Sequence, residues 1–193
     1  MLQQLTAGHA FFKEHFVNKR VIYFYKEKHE IKQFSIYMVK TNFMHLCGVK
    51  YRGGAGSFYH DIQNKTLRID DIEAKSDGTT TQKLQVLPLL HELVNKHVKV
   101  CSQGHYLRLT YDKAIRSNKS ILAITLKYAS TDKYVPTSLL NLRNGKYDTL
   151  TPSFPVICII RECLATKERV YLLYEEKHRS EMEPFLNDDK VFA

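Results

Sequence analysis

Read by its apolar positions, the chain opens with helical spacing, passes into strand alternation, returns to helix and ends in strands. Leu5, Phe12 and Phe16 fall toward one face of a helix over residues 3–18, with Ala10 nearby. Residues 21–25, Val-Ile-Tyr-Phe-Tyr, are β-branched and aromatic and predict a strand. Residues 31–39 alternate, with Phe34, Ile36 and Met38 opposite Ser35 and Tyr37. The polar stretch 26–30 between them predicts a turn, and the two runs a hairpin.

The stretch Phe43-Met44-His45-Leu46-Cys47-Gly48-Val49-Lys50-Tyr51 comes next and organises the rest. Thr41-Asn42 before it are capping residues, and its apolar members predict a short turn anchored on a core. Gly48 stands where a left-handed helix stop is wanted. Arg52-Gly53-Gly54-Ala55-Gly56 lacks both the dinucleotide and the P-loop spacing and predicts a flexible connection or lid. Ser57 is placed to cap a helix through Phe58, Ile62 and Thr66, and 70–82 predicts a polar loop. Leucines 84, 87, 90 and 93 predict an amphipathic helix over 83–96, kinked or started late by Pro88. His91 and His97 on it lack zinc-protease spacing and read as a solvated face.

From there strands are predicted at 98–101, 105–111, 121–128, 134–142, 156–160 and 170–174. The order predicts an α+β fold: an N-terminal helix and β-hairpin, central helices, then a mainly antiparallel twisted sheet. One domain is expected over 1–193, with a charged, loosely held tail at 178–193.

Composition sharpens this picture. Hydrophobic residues at 44% and charged residues at 25% suit an ordinary globule. No apolar run approaches the ~18 residues of a membrane span, and the first residues lack a secretory pattern. Cys47, Cys101, Cys158 and Cys163 form no CxxC pair, so reduced, buried thiols in a cytoplasmic protein are expected, without a zinc site. Lys and Arg outnumber Asp and Glu by 29 to 20, a net +9 that favours a polyanionic partner. Twelve Tyr and ten Phe offer faces on which bases could stack.

The Phe43–Val49 run, an F-x-H-L-x-G turn after an N-terminal hairpin, resembles the phage-associated barnase/EndoU/colicin/RelE-like (BECR) nuclease domains of bacterial mobile elements. The helix near Phe58 and the strand segments 121–127, 134–140, 155–161 and 170–176 fit that resemblance, which covers about 20–177. It implies helices on a twisted antiparallel sheet and RNA cleavage needing neither metal nor cofactor. It also implies a role as a toxin or effector of a phage or mobile element. Its expected partners are RNA and a neutralising immunity protein or antitoxin, with no membrane involved.

Such cleavage needs one group to take the 2′-hydroxyl proton, another to protonate the leaving oxygen, and cations for the phosphoryl charge. His45 is the first candidate for acid or base, beside Lys50. Thr137 and Ser138, after Pro136, are candidates to hydrogen-bond the scissile phosphate. Lys127 and Arg161 are candidate phosphate contacts, and Tyr51 or Tyr59 candidate base platforms. Ion pairing explains the former pair equally well, and core packing the latter. His60 and His105 are alternatives for a second histidine, each also explained structurally. Two other readings stand beside this one. A basic domain could bind RNA or a protein without chemistry, and a metal-dependent nuclease would draw on Asp70, Asp71 and Glu73.

Overall fold

Helix α1 (Leu2–His15) buries Leu5, His9 and Phe12 and leads into the hairpin of β1 (Lys19–Glu27) and β2 (Glu30–Tyr37). The computed structural model describes residues 1–118, 121–143 and 150–186. After the hairpin come α2 (Asn42–Cys47), β3 (Val49–Tyr51), α3 (Gly54–Gln63), β4 (Ile72–Ala74) and α4 (Thr79–Val86). A 3-10 segment (Leu87–Leu93) continues α4 and precedes β5 (Lys99–Cys101), β6 (Gly104–Tyr106), β7 (Leu109–Tyr111) and β8 (Lys113–Arg116). The long strands β9 (Leu122–Ser130), β10 (Lys133–Asn141), β11 (Ser153–Cys163) and β12 (Arg169–Tyr174) follow, then α5 (Arg179–Leu186).

Eight strands form one sheet in the order β1-β2-β10-β9-β8-β5-β11-β12, and β1 also pairs with β11. That extra pairing closes the strands from β1 round to β11 into a circuit. All its ladders are antiparallel except β2 with β10, which meet in parallel at two pairs, Lys133 with Ser35 and Tyr134 with Ile36. The α+β class expected from the chain is thus the class observed.

One face of the sheet carries the main core. Tyr23, Phe34, Ile124, Leu126 and Ile159 pack there with Leu5, Phe12, Phe43, Phe58 and Leu90 from the helical side. Burial of each such side chain is worth about 1.5–3 kcal/mol, so this face carries most of the stability. A second cluster joins Ile22, Phe24, Ile157 and Ile160 to Met182 of α5, and a third lies under the β6–β7 hairpin.

Several local expectations change. The glycine stretch is no loose lid: Gly53 is the N-cap of α3, and Gly54 to Gly56 form its first turn, ahead of Ser57. Burial of Phe58, Tyr59 and Ile62 holds that helix against α1 and α2 and overrides the poor propensity of glycine. The polar 70–82 stretch contains β4, which pairs with β3, and the start of α4. The 83–96 helix begins earlier, at Thr79, and passes into 3-10 geometry at Leu87 next to Pro88. The 105–111 run is no single strand but folds back at Leu107-Arg108 as the β6–β7 hairpin.

Part of the expected tail is α5, whose Met182 is buried and whose Glu181 pairs with Lys26 at 2.6 Å. Residues 187–193 of that tail lie outside the described residues. The four cysteines are free, and Cys163 is half-buried rather than buried. Among the described residues no helix is long and apolar enough to cross a membrane.

His9 is the core's one histidine. It sits against the rings of Phe43 and Tyr59, at 5.4 and 4.4 Å between centroids, and its Nε2 has no hydrogen-bond partner among the described residues. Burial, then the charge of Lys13, lowers its pKa from the ordinary 6.5. The unfolded chain therefore takes up this proton at a higher pH than the folded one. Its contribution to stability is complete above about pH 6.5 and is lost as pH falls below that value. Thermal unfolding followed from pH 8 to pH 5 should show a falling Tm for the wild type and a shallower fall for His9→Leu. Parallel curves would remove His9 from the acid response.

Candidate active site

Helix α2 is short, and its ends are fixed by specific bonds. Asn42 Oδ1 accepts the Val39 N–H at 2.7 Å, and Phe43, Leu46 and Cys47 point into the core. Gly48, at φ 69°, ends the helix in the left-handed region and donates its N–H to the carbonyls of His45 and Met44. The imidazole of His45 is left exposed on the remaining face. Its Nε2 meets the backbone carbonyl of Thr137. A carbonyl can only accept, so Nε2 carries the proton and Nδ1 is the basic nitrogen.

The second group is Lys83, on α4. Its side chain is only 5% exposed, and its Nζ donates to the His45 carbonyl at 3.3 Å. The cation thus sits at the negative end of α2. Its stem runs so close to Gly48 that a Cβ there would come within 2.7 Å of Lys83 Cδ. One turn earlier, Thr80 donates its hydroxyl to the Gly48 carbonyl. Burial, then the neighbouring charge of Lys75, pulls the Lys83 pKa down to about 8.

Strand β10 supplies the third part. Its register against β9 steps from Pro136 opposite Leu126 to Ser138 opposite Thr125, so Thr137 is the extra residue of a bulge. Proline, with no N–H to give the ladder, suits such a position. The bulge turns the Thr137 carbonyl toward α2, while the Thr137 hydroxyl shares a 2.9 Å hydrogen bond with buried Thr125. Ser138 is freer: among the described residues its Oγ makes one long contact, 3.4 Å to the Leu139 carbonyl.

Lys83 and Ser138 both line a groove of about 1010 Å³ that runs between α4 and the β6–β7 hairpin with β10 as its floor. Lys75 and Arg108 add two more cations to its walls. His45 is not itself a lining residue of this groove; it is joined to the lining by its backbone carbonyl, which accepts from Lys83, and by its ring, which meets Thr137, the residue before Ser138. Asp77 also lines it, with a carboxylate pKa lowered by hydrogen bonds from Thr79.

Of the residues singled out in the sequence, the fold therefore brings His45, Thr137 and Ser138 to one junction. The other candidates lie elsewhere. Lys50, on β3, pairs with Glu73 at 3.0 Å on the open surface. Tyr51 donates its hydroxyl to Asp61 at 2.7 Å, a bond that pushes its pKa up to about 12. Tyr59 is 1% exposed and packs on Phe43 and His9, so its ring offers no face to a base. Lys127 pairs with Asp112 at 3.3 Å. Arg161 contacts His15 at 3.3 Å and Glu14 at 3.6 Å beside the end of α1. His60 and His105 are exposed, on α3 and on the β6–β7 hairpin respectively. Glu73 is held by Lys50 and Asp71 by Arg68, and among the described residues no three His, Cys, Asp or Glu gather at ligating distance.

Sequence inspection missed Lys83, although a signal was there. Lys83, Leu87 and Leu90 share helical spacing, which puts a lysine on the apolar stripe of its own helix.

Comparison with known families supplies the class, a nuclease. The chain belongs to the phage-Barnase-EndoU-ColicinE5/D-RelE like nuclease 4 family, whose model matches residues 4–190. No curated protein and no solved structure matches it.

The close approach of Gly48 and Lys83 is directly testable. Gly48→Ala places a side chain at φ 69° and against the Lys83 stem. A stability loss on the order of 1–3 kcal/mol is expected in urea unfolding. An alanine variant as stable as the wild type would contradict this packing.

Proposed function

We propose that this chain is a metal-independent endoribonuclease, acting in the cytoplasm as a toxin or effector of a phage or mobile element. A neutralising immunity protein or antitoxin is its natural protein partner. The observation that carries this reading is that Lys83 and Ser138 line one groove with two further cations, and that His45 is joined to that lining through Lys83 and Thr137, in a chain of a nuclease family.

In this reading Nδ1 of His45 takes the proton of the ribose 2′-hydroxyl, whose oxygen bonds to the adjacent phosphorus. The bond to the 5′-oxygen breaks, and that oxygen takes a proton from Lys83, leaving a 2′,3′-cyclic phosphate and a 5′-hydroxyl. Ser138 hydrogen-bonds a phosphoryl oxygen, and Lys75 and Arg108 offset the charge that develops there. Thr137 is a positioning residue: its carbonyl fixes the tautomer and plane of the imidazole.

Cleavage of RNA in EDTA, with cyclic-phosphate ends, is the expected result. His45→Ala and Lys83→Met should each lower the rate by about 100- to 10,000-fold with the folded spectrum retained. Because Lys83 acts as the ammonium form, wild-type activity should decline as pH rises through about 8. Full cleavage by His45→Ala would remove the histidine from the mechanism. Salt-sensitive RNA binding with no cleavage by the wild type would instead make the chain a binding module.

A further inference from the structure

The groove has two unlike walls. Lys75 and Lys83 line the α4 side, while Tyr106, Leu107 and Leu109 line the hairpin side, with Leu140 of β10 beside them. Asp77, Thr79 and Gln82 also line the α4 side and Arg108 the hairpin side, so two lysines on a polar wall face a mainly apolar one, a pairing that matches a nucleotide, anionic at its phosphate and apolar on the faces of its base. At about 1010 Å³ the space lies at the upper end of the roughly 300 to 1,000 Å³ of small-molecule pockets, and it is an open trough bounded by α4, β10 and the hairpin, in which an extended strand can lie.

The hairpin is built firmly at its base and openly at its tip. Tyr111 is buried, and its hydroxyl lies so near Gly104 that a Cβ there would meet it at 2.7 Å. At the tip, Leu107 is 84% exposed and has φ 54°. The other non-glycine residues with positive φ among those described are Asn18, Lys28, Lys65, His97, Asp132 and Lys167, all polar. A leucine in this conformation is strained and gains nothing by burial, so folding does not account for it. Arg108 beside it adds a planar cation that stacks on bases or pairs with phosphate.

We propose that the β6–β7 hairpin is a base-holding wall and that the groove takes single-stranded RNA, one base laid on Leu107 and Tyr106 and its phosphates turned toward Lys75 and Lys83. This rests on the ribonuclease reading and adds the substrate form. In a duplex the bases are stacked inside and the deep, narrow major groove excludes such a wall, whereas an unpaired strand can splay a base onto it.

Binding of an uncleavable 2′-O-methyl oligoribonucleotide, measured by fluorescence anisotropy, tests this apart from catalysis. The wild type should bind the single strand more tightly than the same strand in a duplex. Leu107→Asn, which suits the turn, and Tyr106→Ser, neither of which touches the catalytic groups, should each weaken single-strand binding about tenfold and reduce that preference. Equal affinity for strand and duplex, or wild-type affinity in both variants, overturns the hairpin's role. Cleavage of natural RNA is scored in parallel. Cleavage with hairpin variants that bind normally leaves the ribonuclease reading and removes this one. Hairpin-dependent binding without cleavage does the reverse.

Discussion

A buried ammonium at the end of a six-residue helix holds this site together. Lys83 is nearly lost from solvent, and its charge is tolerable because the carboxyl end of α2 presents a carbonyl to it. Thr80 ties the Gly48 carbonyl, three residues beyond that of His45, with its hydroxyl. Helices α2 and α4, separated by β3, α3 and β4 in the chain, are thereby fixed to each other. The orientation of His45 depends on that lock, since its own backbone carbonyl is one of the two groups being joined.

The opposing side is fixed by a defect in a strand. Proline at 136 and the extra residue at 137 interrupt the β9–β10 ladder, which frees a carbonyl for the imidazole. Beyond Tyr134, β10 has no strand partner on the β2 side among the described residues, and α2 and α4 pack along it instead. There Asn141 donates its side-chain N–H to Gln85 at 2.9 Å and to the Gln82 carbonyl at 3.1 Å. The groove exists because helices, not a strand, finish this edge.

What could be read from the chain was what local chemistry dictates. The alternation of 31–39, the β-branched run at 21–25 and the stop at Gly48 each carry their structure in neighbouring residues, and each is observed. The first turn of α3 was illegible because its glycines are held by Phe58, Tyr59 and Ile62 packing on distant elements. Thr137 was visible as a polar residue after a proline, yet its hydroxyl goes to Thr125 and only its carbonyl faces the histidine. That division is a property of strand pairing, which spacing does not encode. Lys83 is half legible: its place on the leucine stripe is in the spacing, but the helix end that accepts its charge is not.

The two-pair contact between β2 and β10 has a kinetic meaning. A circuit of strands opens first where its hydrogen bonds are fewest, and here that seam adjoins the stretch of β10 which forms the floor of the groove. The long ladders of β1 with β11 and of β9 with β10 keep the rest closed. The seam of least hydrogen bonding thus lies four residues along β10 from Ser138, where parting of the strands costs least and leaves the core ladders intact.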